Sequence, residues 1–189
     1  MSKSELWLGN QGQASIRQWE LGDADQLSRL VSHNLEHLRP WMPWIANEPL
    51  TLVERQSIIA LWRSGYRVDG DIFLGVFLAA QCVGSAGLNK RLVPGVLEIG
   101  YWIDRDHCGR GIATTTVGLL CEMAFSKSET TSVEIHHDQA NVISASVART
   151  ALFKFLGTCP HEITAPAEIG VEWSWEMTRS AWESIKHAS

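Results

Sequence analysis

The residues best suited to chemistry fall in one stretch, Leu97 to Phe125 (LEIGYWIDRDHCGRGIATTTVGLLCEMAF). It reads as an apolar strand, a short polar connection, a turn holding Gly109 and Gly111, and then a helix. Glycine lets backbone approach a ligand closely, and the first turn of a helix presents amides that have no internal acceptor. With the positive end of the helix dipole, such a turn makes a phosphate site. Glu98, on the strand leading into the turn, suits either a general base or an ion pair with a neighbouring Lys or Arg. His136 and His137 are adjacent in a strand-like run, so they face opposite sides and cannot easily share one metal ion. Asp106, His107 and Cys108 are neighbours in a loop and do not make a closed tetrahedral set, so no metal is expected. Cys108 and Cys121 lack the His and Asp or Asn signature of a cysteine nucleophile.

The rest of the chain must hold these residues in place. Its 189 residues, 45% of them hydrophobic, suit one domain with a substantial core. A net charge of −5 argues against a protein built to grip nucleic acid backbone. The N-terminus has no signal-peptide core, no run approaches the roughly 18 apolar residues of a membrane span, and the four cysteines include no C-x-x-C pair. A cytoplasmic setting with free thiols is therefore expected. The nine tryptophans suit core or pocket wall.

Residues 1–13 read as a weakly ordered lead-in, and 14–189 as a single domain. Ala14 to Trp19 alternates as a first strand, and Gly22 and Asp23 open a helix carried by Leu27, Leu30, Val31, Asn34 and Leu35. Pro40 and Pro43 must break that helix. Trp41, Met42 and Trp44 around them either pack onto the domain or line a cleft. Thr51 and Glu54 form a capping-box pattern that opens a helix to about Ser64. Strands are expected over 71–78, 82–88, 97–103 and 131–137. A last strand is expected where Val171, Trp173, Trp175 and Met177 alternate with Glu172, Ser174 and Glu176. One helix follows the glycine turn, with Ala113, Val117, Leu120, Cys121 and Ala124 on one face. Another starts at Asn141, with Ile143, Val147, Ala148 and Ala151 facing inward. The order is that of an α/β or α+β domain.

In this setting Cys108-Gly109-Arg110-Gly111-Ile112-Ala113 resembles the acyl-CoA motif of the GNAT superfamily of N-acyltransferases, Gln/Arg-x-x-Gly-x-Gly/Ala, with Cys108 where Gln or Arg is usual. LEIGYWID before it, the threonine-rich helix after it, Asn141-x-x-Ser144, Arg39-Pro40-Trp41-x-Pro43-Trp44 and the closing EWSWEMTR-x-x-W resemble the RimJ/RimL-type branch. The similarity runs roughly from Ala14 to Trp182. It implies a mixed, bent sheet of six to seven strands flanked by helices, splayed between strands four and five, with acyl-CoA in the V. By this resemblance Trp102, Ile103 and Asp104 would hydrogen-bond the pantetheine arm. The pyrophosphate would rest on the amides of Gly109, Arg110, Gly111, Ile112, Ala113 and Thr114. The amine would approach over Trp41, Trp44 and the two N-terminal helices, and His136 is a further candidate for binding it.

Acyl transfer to an amine must remove a proton from the ammonium, stabilise an oxyanion and protonate a thiolate. Direct attack needs no enzyme nucleophile, because proximity supplies much of the rate. Glu98 is the first candidate base, whichever of His136 and His137 points to the cleft is a second, and Glu172, Glu176 and Asp138 rank lower. The tyrosine that many GNAT members place seven residues after the helix asparagine is Ala148 here. The RimL-like pattern has a serine instead, matched by Ser144 as a donor, a water relay or a helix cap. Asn141 is an N-cap, a pantetheine contact, or both. Thr150-Ala151-Leu152-Phe153 stands where the family often has Lys-Leu-Gly-Phe, so the glycine of a left-handed C-cap is missing. The expected activity is transfer of acetyl from acetyl-CoA to a primary amine, on a protein or peptide N-terminus or a small molecule. The competing class is a non-catalytic CoA-binding sensor or interaction module. A Rossmann domain would need G-x-G-x-x-G after an early strand, which is absent. Neither nucleic acid nor membrane is an expected partner, and a monomer or a homodimer fits.

Overall fold

The alternating runs become strands of one sheet in a computed structural model that describes residues 7–8, 14–67 and 70–188. The strands are β1 (Trp7–Leu8), β2 (Ser15–Gln18), β3 (Ile72–Leu78), β4 (Gln81–Lys90), β5 (Val96–Ile103), β6 (Ser132–Asp138), β7 (Lys154–Pro160) and β8 (Val171–Thr178). Their order is β1-β2-β3-β4-β5-β6-β8-β7, antiparallel throughout except between β5 and β6. The helices are α1 (Ala24–His33), α2 (Leu35–Leu38), α3 (Leu52–Arg67), α4 (Ile112–Phe125), α5 (Val142–Thr150) and α6 (Arg179–Ala188). Counted from β2 the sheet has the expected seven strands, with the parallel pair at four and five, and β1 adds a short eighth. The lead-in expected over 1–13 falls outside the described residues, apart from Trp7 and Leu8.

Two cores sandwich the sheet. Side chains alternate along β5, so Leu97, Ile99, Tyr101 and Ile103 face α4, α5 and α6, packing with Val117, Leu120, Val133, Ile135 and Trp175. Trp102 turns to the opposite face and joins Trp19, Leu27, Val31 and Ile59 beneath α1 and α3. The Thr51–Glu54 capping box is made reciprocally, Thr51 N donating to Glu54 Oε2 at 2.7 Å and Glu54 N to Thr51 Oγ1 at 3.3 Å.

Three features depart from the expected order. Strand β7 was not anticipated, because nearly every residue in this edge strand is exposed and no alternation marks it. Helix α6 was missed as well. It packs Trp182 on Phe125, and its first residue, Arg179, donates to the carbonyls of Phe125 and Thr130 beyond the end of α4. On α5, Ile143 is 70% exposed rather than inward, and Ala145 and Ala148 are the buried pair. That helix keeps a left-handed ending without glycine. Leu152 adopts φ +63°, and Phe153 N then bonds Ala148 O at 3.0 Å.

Candidate active site

The glycine turn forms as its residue types require. A short 3-10 turn (Arg105–His107) leads to Gly109 at φ +73° and Gly111 at φ +78°, a region that side chains other than glycine rarely adopt. Gly111 is the N-cap of α4, and the first intrahelical bond is Thr115 N to Gly111 O at 3.0 Å. The amides of Ile112, Ala113 and Thr114 therefore precede the helical ladder. A Cβ added to Gly109 or Gly111 would meet no atom within 4 Å, so the turn itself stands on open ground. Arg110 bends back, its Nη2 donating to Asp106 O at 2.8 Å. Cys108 Sγ sits 3.5 Å from Asp104 O, and burial and the Asp104 charge push its thiol upward, away from the thiolate a nucleophile needs.

Beyond Glu98 the sheet opens. β5 and β6 pair only at Val96–Ser132, Leu97–Val133 and Glu98–Glu134. Asp104 N donates to Val83 O at 2.8 Å, so Asp104, and with it Trp102, turns its backbone toward β4. The alternate residues Ile99, Tyr101 and Ile103 turn theirs to the open edge. Of the three expected rail residues, Ile103 faces the gap, Tyr101 accompanies it, and the Asp104 amide is already bonded. A cleft of about 740 Å³ passes through this gap and reaches both faces of the sheet.

Toward α5, the cleft is lined by Tyr101, Ser144, Asn141 and His137. Ser144 N donates to Asn141 Oδ1 at 3.1 Å, so the asparagine is an N-cap, and its side chain also borders the cleft. Tyr101 Oη lies 3.1 Å from Ser144 Oγ. Burial pushes the phenol up to about 12, so Tyr101 stays protonated, and either hydroxyl can donate to the other. Sequence reasoning missed this tyrosine. Its alternation with Leu97 and Ile99 was readable, but its partner, 43 residues away, was not. His137 is fixed in one tautomer, donating Nδ1–H to Asp138 O at 2.8 Å and accepting from Trp175 Nε1 at 3.0 Å. Burial lowers it, so the ring is neutral near pH 7.

The opposite face carries the other candidates. Glu98 Oε2 accepts from Arg91 Nη1 at 2.7 Å, the ion pair that was one of its two expected readings, while the residue still lines the cleft. His136 lines it too, with Nε2 2.8 Å from Glu134 and Nδ1 2.9 Å from Glu172. Trp41 and Trp44 border the cleft, which decides between the two readings of their loop, and Trp44 leans on Trp102 with ring centroids 6.3 Å apart. A buried pair, Arg55 Nη2 to Glu48 Oε1 at 2.6 Å, holds this loop to α3, and Ala167 N donates to Pro40 O at 3.0 Å from the 161–170 loop. Asp138 anchors that loop in turn. Its Oδ2 accepts from His161 Nε2 and from the amides of Ile169 and Gly170. Burial alone would raise this carboxyl, but the bonds it accepts hold it at about 2.

Asn34, its role also unforeseen, joins the two sides. Wholly buried at the end of α1, it donates Nδ2–H to Asp104 Oδ1 at 2.8 Å and accepts from Arg105 N at 2.9 Å. His107 takes the other Asp104 oxygen at 2.7 Å, and His33 bonds Asp106 at 2.7 Å. Burial pushes Asp104 upward, but the Asn34 and His107 bonds outweigh it and hold the carboxyl below its ordinary value. The His33, Asp104 and Asp106 cluster is thus a strap from α1 to the glycine turn.

Comparison with known proteins agrees with this geometry. Residues 14–154 match the model of the acetyltransferase (GNAT) domain. The chain is 32% identical over 122 residues to the Bacillus subtilis (strain 168) protein named "Putative ribosomal N-acetyltransferase YdaF", covering 64% of this chain and 67% of that one. Among solved structures it resembles RimL, the ribosomal L7/L12 α-N-protein acetyltransferase, in complex with coenzyme A. The TM-score is 0.84 at 17% identity, over 94% of this chain and 99% of that one. The self-immunity acetyltransferase MccE, in complex with acetyl-CoA and AMP, gives the same TM-score of 0.84 at 16% identity, over 94% and 97% of the two chains. With a glycine turn at the head of α4 and a sheet parted beyond Glu98, the chain belongs to the GNAT acetyltransferases.

Proposed function

We propose that this enzyme transfers an acetyl group from acetyl-CoA to a primary amine, on a protein or peptide N-terminus or on a small molecule, by direct attack. The observation that carries the reading is the unpaired edge of β5, which leads from Glu98 to the open amides at the start of α4. The amides of Gly109 to Thr114 receive the pyrophosphate, and the Tyr101 and Ile103 backbone receives the pantetheine arm. On the acceptor face Glu98, one oxygen held by Arg91, takes the ammonium proton with the other. His136, with both ring nitrogens facing carboxylates, borders the acceptor as a positioning residue. On the opposite face Tyr101 Oη lies 3.1 Å from Ser144 Oγ, and when the phenol donates to the serine, the serine hydroxyl is free to donate to the sulfur as the carbon–sulfur bond breaks. Base and donor thus stand on opposite faces of β5, one to serve the incoming nitrogen and the other the departing sulfur.

Coenzyme A in the RimL structure and acetyl-CoA in the MccE structure support the donor, and the YdaF and RimL names support a protein acceptor. The free cysteines Cys82, Cys108, Cys121 and Cys159 suit a reducing, cytoplasmic setting. Among the described residues no helix is long and apolar enough to cross a membrane. A thermal shift tests the donor: acetyl-CoA raises Tm by mass action, and NAD and ATP do not. Free thiol release with a panel of amines and peptides then tests the transfer. No shift at near-millimolar acetyl-CoA would sink the reading. A shift without thiol release would make the protein a CoA-binding sensor.

A further inference from the structure

The acceptor side of the cleft has a composition that bears on its substrate. Trp41, Met42 and Trp44 come from the loop before α3, Trp62 from α3, Phe73 from β3 and Trp102 from β5, and all six border the cleft. Trp62 and Phe73 stack on each other at 5.2 Å with an interplanar angle of 24°, and both stay partly exposed. Trp44 and Trp102 lie 6.3 Å apart at 43°, and Trp44 is still 36% exposed. Large aromatic side chains left partly open inside a concavity gain from a ligand that covers them, both by removing apolar surface from water and by ring-to-ring contact.

The ionic groups along this basin are largely matched already. Arg55 is bonded to Glu48 and Ser28, and Glu48 also accepts from Leu50 N. The Glu168 carboxylate accepts from the amides of Thr164 and Ala165. A small polar acceptor such as an N-terminal serine would therefore leave most of the aromatic surface wet. At the other end, where the sheet parts, Glu98 has one carboxylate oxygen, Oε2, on Arg91 Nη1 at 2.7 Å and the other for an ammonium.

We propose that the acceptor is a primary amine joined by a short alkyl link to a flat aromatic ring, its ammonium at Glu98 and its ring in the basin of Trp41, Met42, Trp44, Trp62, Phe73 and Trp102. This rests on the acetyltransferase reading above. A small arylalkylamine and a peptide beginning with Phe or Trp share this chemistry.

The test follows thiol release from acetyl-CoA by the full chain. One arm pairs 3-phenylpropylamine with propylamine, whose amines are similarly basic, and another pairs matched peptides beginning with Phe or Ser. The aromatic member of at least one pair is expected to show a kcat/KM about tenfold or more above its partner, the scale of burying one ring's worth of apolar surface. The pair that shows it identifies the source. Trp44→Ala and Trp62→Leu should each cut that ratio severalfold, with the acetyl-CoA thermal shift retained as evidence of an intact cofactor side. Equal rates within both pairs, or preference for propylamine and the Ser peptide, would overturn the proposal. So would an aromatic preference that both variants leave unaltered. No thiol release with any acceptor would instead overturn the acetyltransferase reading on which it rests.

Discussion

The two walls of the cleft are made in different ways. Under the proposed function, the cofactor wall is one contiguous run, Tyr101 to Thr114, and its useful groups are backbone amides and a strand edge. The acceptor wall is assembled from side chains of the 38–50 loop, α3, β3, β5, β6 and the 161–170 loop. Distant bonds tie it together: Glu48 to Arg55, Pro40 to Ala167, and Asp138 to His161. Backbone groups remain when a side chain changes, so the first wall accommodates Cys108 in an unusual place. The second wall depends on each side chain and on each tie, and under the proposed function it is where acceptor choice is made.

Four measurements would break or sharpen this contrast. Asn34→Ala should cost the most, because it strips buried partners from both Asp104 and Arg105 at the junction of the walls. A loss of about 3 kcal/mol in urea unfolding is expected. Near-wild-type stability would show that the junction is not structural. Glu98→Gln preserves shape but removes the base, so kcat should fall about 100-fold while acetyl-CoA still raises Tm. Undiminished turnover would remove Glu98 from that role.

Next in size is the acid stability of the 161–170 loop. Asp138 is held at about 2, below its ordinary 3.8, so its contribution is present above pH 3.8 and is lost as the pH falls toward 2. It is about 2 kcal/mol, and Asp138→Asn should flatten the urea midpoint over that window. His161 has the opposite sign. Its bond to Asp138 raises it above 6.5, so its share is present below pH 6.5 and is lost as the pH rises through the folded value. A midpoint that stays flat in wild type between pH 4 and pH 2 would contradict the anchoring role. Arg110→Ala should change least, weakening acetyl-CoA binding by less than about threefold, since the exposed guanidinium bonds its own turn. A tenfold loss would mean that charge, and not backbone, holds the phosphates.

Most of the sheet was legible, because strands with one buried face alternate visibly, as Val171 to Met177 does. Strand β7 was not, since an exposed edge has no face to hide. The left-handed ending of α5 was equally hidden, because Leu152 occupies by tertiary constraint a conformation that the sequence usually marks with glycine. Within the site, the glycine turn could be read from neighbouring residues alone. Tyr101 and Asn34 could not, since each matters through a partner more than forty residues away.

The sequence by itself determined the glycine turn, the helix behind it and the alternation that sends Glu98 and Tyr101 to opposite faces, because all three follow from local backbone geometry. Only the tertiary structure decided that β5 and β6 part after Glu98, that Tyr101 meets Ser144, and that the tryptophans of the 38–50 loop border the cleft. Those outcomes depend on packing between distant segments, whose energies no short window of residues contains.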